Sequence, residues 1–197
     1  PLLDPQTQAL LTRRLGELLG LALIAFGVAL AALMLSYTPD DPNWMAAIDI
    51  PPQNVMGRTG ASVAAILMLI LGYGALVLPI AAVVWGIRLV LHVGTVRPVP
   101  RVFFLPIVLA LGSIYAASHV PPEGWTHSFG LGGLFGDTVL GAVLNALPMA
   151  PQLGLKIAAG AAFRGGAAML LPVVGVTAGA GRATLRFLPH RLLATAS

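Results

Sequence analysis

Between Leu15 and Leu35 the chain runs for twenty-one residues with one charged side chain, Glu17. A helix rises about 1.5 Å per residue and a bilayer's hydrocarbon core is roughly 30 Å thick, so this run is long enough to cross. Composition points the same way. Hydrophobic residues make up 57% of the 197 and charged residues only 9%, against roughly 25% charged in a soluble domain. Such a chain cannot cover its own surface for water, and the expected class is an all-α, polytopic integral membrane protein. The eleven basic residues behind the net charge of +4 form no dense patch, so they argue for membrane topology rather than nucleic-acid binding. The absence of cysteine excludes disulfides, thiolate metal sites and cysteine nucleophiles. The Leu15 run is also too long for the core of a cleaved secretory signal, and no small-x-small pattern follows it.

Four spans are expected, at about 15–35, 59–87, 102–119 and 155–178. They form a membrane domain over 15–178, between a cytoplasmic segment 1–14 and the start of a cytoplasmic linker at 179–197. The second run, 29 residues from Thr59 to Ile87, would reach roughly 44 Å as a straight helix, so it must tilt, bend at Pro79 or project from one face. Two apolar pieces compete for the fourth place, Leu131–Leu147 and Leu155–Ala178. Charge decides between them. Arg13 and Arg14 precede the first span; Arg88, Arg97 and Arg101 surround the link between the second and third; Arg182, Arg186 and Arg191 follow the last. Asp40, Asp41 and Asp49 outnumber Arg58 between the first two spans, and Glu123 and Asp137 lie after the third. Basic residues collect on the cytoplasmic side. Both termini are therefore expected inside, which requires an even number of crossings. Leu131–Leu147 becomes a re-entrant or interfacial helical segment on the outer side.

The stretch "SYTPDDPNW", Ser36 to Trp44, closes the first span. Tyr37 and Trp44 suit the membrane–water boundary, Pro39 and Pro42 stop the helix, and Asp40 and Asp41 are read as facing water. Asp41 is expected to cap exposed amides and Trp44 to seat at the headgroups. The order of residues is more particular than a loop requires. It resembles the Ser-Tyr-x-Pro-x-Asp-Pro-Ser-Trp pattern in the N-terminal membrane domain of FtsK/SpoIIIE-type bacterial DNA translocases, on Ser36, Tyr37, Pro39, Asp41, Pro42 and Trp44, with Asn43 in place of serine. "NVMGRTGA" resembles that domain's start of the second span, through Asn54, Gly57, Gly60 and Ala61. Gly72, Pro79, Trp85 and Gly86 stand where the family often has such residues. "GGLFG" resembles its Gly-Gly-x-x-Gly after the third span, through Gly132, Gly133 and Gly136. After Leu147 the sequence departs from the family's smooth apolar helix, with prolines, Lys156 and Arg164.

The resemblance implies a membrane anchor that places a DNA-translocating motor at the division septum. It further implies a homo-oligomer, six-fold with the motor, contacts with septal membrane proteins, and residence in the bacterial inner membrane. ATP, magnesium and DNA are implied only for the motor. No Gly-Lys-Ser/Thr phosphate loop occurs here, and the single lysine, Lys156, lies in "LGLKIA", so no cofactor and no enzymatic activity are expected of this stretch. Two other classes remain, an accessory structural subunit of a larger membrane complex and a small transporter or channel.

Other chemistry finds little support. By topology His92 and His190 lie inside while His119 and His127 lie outside, so the four cannot share a metal; His119, His127 and Glu123 make at most a weak site. No Gly-x-Ser-x-Gly elbow occurs, and "GLGGLFG" lacks dinucleotide spacing. "GYG", Gly72 to Gly74, is read as a packing feature inside the second helix rather than an ion filter. Contact points between helices are expected at Gly60, Gly72, Gly74 and Gly86, and at Gly160, Gly165 and Gly166. Arg164 has two readings: a subunit contact or partner of a carboxylate such as Asp137, or an interfacial residue just before a span that starts near Gly165.

Overall fold

The structure, a computed structural model, describes residues 4–46, 49–93 and 99–174. Arg97, the C-terminal arginines Arg182, Arg186 and Arg191, His190 and the expected linker 179–197 lie outside the described residues, as do the last four residues of the expected fourth span. All regular structure among the described residues is helical. Helix α1 is Pro5–Leu35, α2 Gly57–Leu71, α3 Val77–Val90, α4 Val99–Ala117, α5 Gly133–Ala146 and α6 Pro151–Val174; a 3-10 turn, Gly72–Leu76, joins α2 to α3. Three runs are long and apolar enough to cross a bilayer: α1, the continuous stretch from Gly57 to Val90, and α6. Helix α4 is a further apolar helix of 19 residues, and α5, with 14, spans only about 21 Å.

Helix α1 begins ten residues before Leu15, so the apolar run is the end of a longer helix whose first turns carry Arg13, Arg14 and Glu17. It lies antiparallel along α3. A Cβ at Gly20 would come within 2.7 Å of the Gly86 carbonyl oxygen, and one at Gly86 within 2.6 Å of the Gly20 carbonyl oxygen. Farther along the seam, a Cβ at Gly27 would stand 2.7 Å from Val83. Lipid tails are as apolar as leucine, so no hydrophobic force draws helices together in a membrane; close backbone approach across small residues gives dispersion contact instead. Helix α6 runs antiparallel along α4, with Leu111 against Gly165 and Gly166 and the ring of Phe163 5.3 Å from that of Tyr115.

The second apolar run is not one helix, and it does not bend at Pro79. The break is at Gly72, whose φ of +56° ends α2. Positive φ is strained for any residue with a Cβ, and glycine adopts it freely. A break inside a membrane leaves backbone groups that lipid cannot satisfy, and here both sides find partners. The Leu71 carbonyl accepts the Ser113 hydroxyl of α4 at 2.8 Å, and the Tyr73 amide donates to the Leu131 carbonyl at 2.9 Å. Gly133, at φ +65°, faces Gly72 so closely that a Cβ on it would stand 2.6 Å from the Gly72 nitrogen. Cβ atoms at Gly74, Gly132 and Gly136 would all overlap Ser113. Of the expected contact glycines of the second span, Gly72, Gly74 and Gly86 meet other segments closely, while Gly60 meets only Asn54 and Met56 just before its own helix. In the fourth span Gly165 and Gly166 make only ordinary contact with Leu111, and Gly160 meets nothing within 4 Å. Among the described residues, Gly160 has no contact partner in the chain.

Apolar packing divides into two clusters. One gathers Leu30, Leu33, Met34, Ala64, Met68 and Ala75 where α1, α2 and the 3-10 turn meet. The other joins Ala81 of α3, Val108 of α4 and Val173 of α6. The glycine junction yields a direct test. Gly74→Ala should destabilise the protein by roughly 1–3 kcal/mol through overpacking against Ser113. Gly141→Ala, where a Cβ meets nothing within 4 Å, should be neutral or slightly stabilising in its helix. Unfolding in lipid micelles compares the two.

Candidate functional site

The residues of "SYTPDDPNW" and "NVMG" come together as one polar lock at the ends of α1 and α2. Asp41, read from sequence as facing water, is 1% exposed. Its Oδ1 accepts the Gln53 amide at 2.7 Å and its Oδ2 the Asn54 amide at 2.9 Å. The groups it caps belong to the returning segment before α2, so their arrival at Asp41 is what excludes water from it. Asn54 continues the chain of bonds: its Nδ2 donates to the Leu33 carbonyl at 2.7 Å, and its Oδ1 accepts the Met56 amide at 3.1 Å. Leu33 lies in the last turn of α1, where carbonyls lack an intrahelical partner. Ser36 donates to the Ala32 carbonyl and accepts the Val55 amide. A Cβ at Gly60 would overlap Asn54 Oδ1, and Gly57 takes φ +64°, so both glycines leave the lock its shape.

Asn43, the departure from the resemblance, closes a local turn. Its Oδ1 accepts the Met45 and Ala46 amides and its Nδ2 donates to the Asp41 carbonyl, a role for which asparagine is suited. Pro42 is buried beside it. Trp44 is 66% exposed, while its amide is held by the Ser62 hydroxyl at 3.1 Å. That bond lays the loop against the first turns of α2 and leaves the indole on the outside. Pro39 is half-buried and Asp40 exposed.

A second cluster lies next to the lock. The Tyr37 hydroxyl is 2.8 Å from His127 Nε2. His127 stacks on Phe129 with ring centres 4.5 Å apart and meets the edge of Trp125 at 4.9 Å. Trp125 Nε1 donates to the Phe129 carbonyl at 2.6 Å, and its ring packs against the Leu30–Met68 cluster. The loop before α5 is thus fastened to the end of α1. Beneath it a cavity of about 150 Å³ is lined by Met34, Leu35, Tyr37, Met68, Tyr73 and Leu76. His127 is engaged with aromatic rings, His119 with the Tyr115 carbonyl at 2.9 Å, and among the described residues no three metal-ligating side chains gather.

The motif residues Gly132, Gly133 and Gly136 are in a different place, the junction with Gly72, Gly74 and Ser113. Asp137 is not a partner for Arg164: its Oδ2 accepts the Gly130 amide at 2.5 Å and so steadies the turn before α5. Arg164 itself is exposed, thirteen residues into α6. At the opposite end of the bundle, Glu17 pairs with Arg14 at 2.7 Å and Arg13 at 3.3 Å, with His92 of the α3 end 3.5 Å away. Sequence reasoning missed Ser62, Ser113, Trp125 and the packing of Gly20 and Gly27. The only local sign of the aromatic cluster is the close spacing of three rings, Trp125, His127 and Phe129, in one short loop.

The aromatic cluster carries a pH dependence. Burial lowers the His127 pKa below its ordinary 6.5, against a weaker opposing pull from Asp40. Below pH 6.5 the unfolded chain therefore takes up a proton that the folded cluster resists, and stability falls as pH drops. Burial first, then Asp40 and Asp41, push the Tyr37 hydroxyl up to about 12. Its contribution is full below pH 10 and is lost as pH rises towards 12. Thermal unfolding measured from pH 5 to 8 should show the acid-side loss in the native protein and a flatter profile in His127→Gln. An unchanged slope contradicts the assignment.

Comparison with known proteins gives the family. The family described as the 4TM region of DNA translocase FtsK/SpoIIIE matches residues 12–163. A DNA translocase FtsK of Bradyrhizobium diazoefficiens is 34% identical over 142 residues, covering 71% of this chain and 17% of the relative. One of Azospirillum brasilense is 32% identical over 153 residues, covering 75% and 24%. One of Caulobacter vibrioides is 30% identical over 141 residues, covering 70% and 17%. The shared stretch is thus less than a quarter of each of these relatives. No solved structure matches. With apolar helices long enough to cross a bilayer and a match spanning most of its length, the chain belongs to the family of the four-span membrane region of FtsK/SpoIIIE-type DNA translocases.

Proposed function

We propose that this region is the inner-membrane anchor of a DNA translocase, holding the motor at the division septum during cell division and chromosome segregation. The observation that carries the reading is the family match over residues 12–163. The geometry supports it: side chains that would be nucleophiles or ligands in an enzyme serve here as structural bonds. Asp41 caps amides, Ser113 satisfies a helix break and His127 joins a loop to α1. Orientation follows from charge. Arg13, Arg14 and Arg88 mark the cytoplasmic end, and the Asp41 lock and aromatic cluster face outward. The outer face is then the surface offered to septal membrane proteins, with Trp44 at the headgroups.

Self-association is part of this reading, six-fold with the motor by family resemblance. Arg164 supports it. At thirteen residues into α6 the side chain lies roughly 20 Å from the helix start. A charge that deep facing lipid costs roughly 2.5–3.5 kcal/mol, which contact with another subunit removes. Expressed with a fluorescent tag in dividing bacteria, the chain should collect at the septum and form cross-linked oligomers. Even distribution around the membrane as a monomer overturns the anchor reading in favour of an accessory subunit.

A further inference from the structure

The cavity at the Leu35 end of α1 has an inner wall and an open rim. Met34 and Met68, 6% and 2% exposed, form the inner wall and belong to the apolar cluster of α1, α2 and the 3-10 turn. Leu35 and Tyr73, 78% and 45% exposed, stand at the rim. Like Phe26 and Val28 of α1 and Ile70 of α2, they are exposed side chains on runs that cross the bilayer, where the surroundings are lipid. The rim is therefore continuous with the lipid-facing surface of the bundle.

Water is a poor occupant for this space. A buried water needs about two to four polar partners, and polar groups of these segments are already engaged. The Tyr37 hydroxyl meets His127, the Leu71 carbonyl accepts from Ser113, and the Tyr73 amide donates to the Leu131 carbonyl. An empty space of about 150 Å³ would leave Met34 and Met68 without the contacts that a close-packed interior makes. An engineered apolar cavity of about that size stays dry and takes up benzene, so a short length of hydrocarbon fits. Methionine is unbranched and polarizable, and its side chain adapts to a flexible guest.

We propose that this cavity binds the acyl chain of a lipid, which enters between Leu35 and Tyr73 and lies against Met34 and Met68. The membrane supplies that ligand at the rim itself. In the cavity the acyl chain packs against Tyr37, whose hydroxyl fastens the loop before α5 through His127. The site goes beyond the anchor reading and does not depend on it.

The test uses phosphatidylcholine with a photoactivatable diazirine on one acyl chain, mixed into phosphatidylcholine vesicles that hold the protein, with labelled residues read by mass spectrometry. Lipid that only surrounds the bundle labels exposed side chains such as Phe26 and reaches neither Met34 nor Met68. An acyl chain in the cavity labels both. Leu76→Phe, which enlarges a side chain of the cavity wall, should abolish the labels on Met34 and Met68 and leave that on Phe26. If Leu76→Phe does not fold, Leu35→Trp, a change at an exposed position on the rim, carries the same expectation. Labels confined to exposed residues in the native protein overturn the proposal, as do undiminished labels on Met34 and Met68 in a folded variant. A protein that fails to collect at the septum overturns the anchor reading and leaves these labels unchanged, so the two failures are distinguishable.

Discussion

A backbone amide or carbonyl in lipid has no water to turn to, and the ends of α1 and α2 are built around that requirement. Where α2 ends at Leu71, the Ser113 hydroxyl of α4 takes the freed carbonyl and the Leu131 carbonyl takes the next amide. Where α1 ends, Asn54 takes the Leu33 carbonyl, and Asp41 holds the amides that bring Asn54 there. In the last described turn of α6, Trp85 donates to the Val173 carbonyl. Each of these three carbonyls is met by a side chain from a distant part of the sequence, so each bond also fixes how two segments sit against one another. Polar bonds give this bundle its register, and the apolar surfaces supply contact area.

The glycines follow from the same constraint. For a hydroxyl on α4 to reach a carbonyl at the end of α2, the backbones must come close: Gly74, Gly132 and Gly136 clear the space around Ser113, and Gly72 and Gly133 clear it for each other. The α1–α3 seam uses Gly20 and Gly86 in the same way. An anchor needs this kind of construction more than it needs a pocket. Its loops are locked to the ends of α1 and α2.

Much of the bundle was legible from the length of the apolar runs and the Pro–Asp–Gly punctuation between them, because bilayer thickness is a fixed ruler. Pro79 misled as a candidate bend because it is the third residue of α3, near a helix start where a missing amide costs little. Gly72 carries the break instead, a choice that depends on Ser113 and Leu131 being near enough to satisfy it. Asp41 was read as wet because a lone aspartate belongs in water, and its burial requires the amides of Gln53 and Asn54 to fold back over it. Asp137 looked like a counter-ion for Arg164 from charge alone, but the Gly130 amide, seven residues away, is its partner. The motif glycines could be recognised as a pattern. That Gly132, Gly133 and Gly136 all converge on the break in the second span is a tertiary fact with no local sign.

The polar lock at Asp41 is the most direct place to test whether such repairs hold the bundle in register. Asp41→Asn changes one oxygen to an amide group, which has no lone pair to offer one of the two backbone amides. With a buried donor left unpaired, stability should fall by roughly 1–3 kcal/mol. Hydrogen exchange should quicken at Gln53 and Asn54 while amides in the middle of α1 and α3 keep their protection. An Asp41→Asn protein as stable as the native one, with the same exchange at Gln53 and Asn54, would contradict the account.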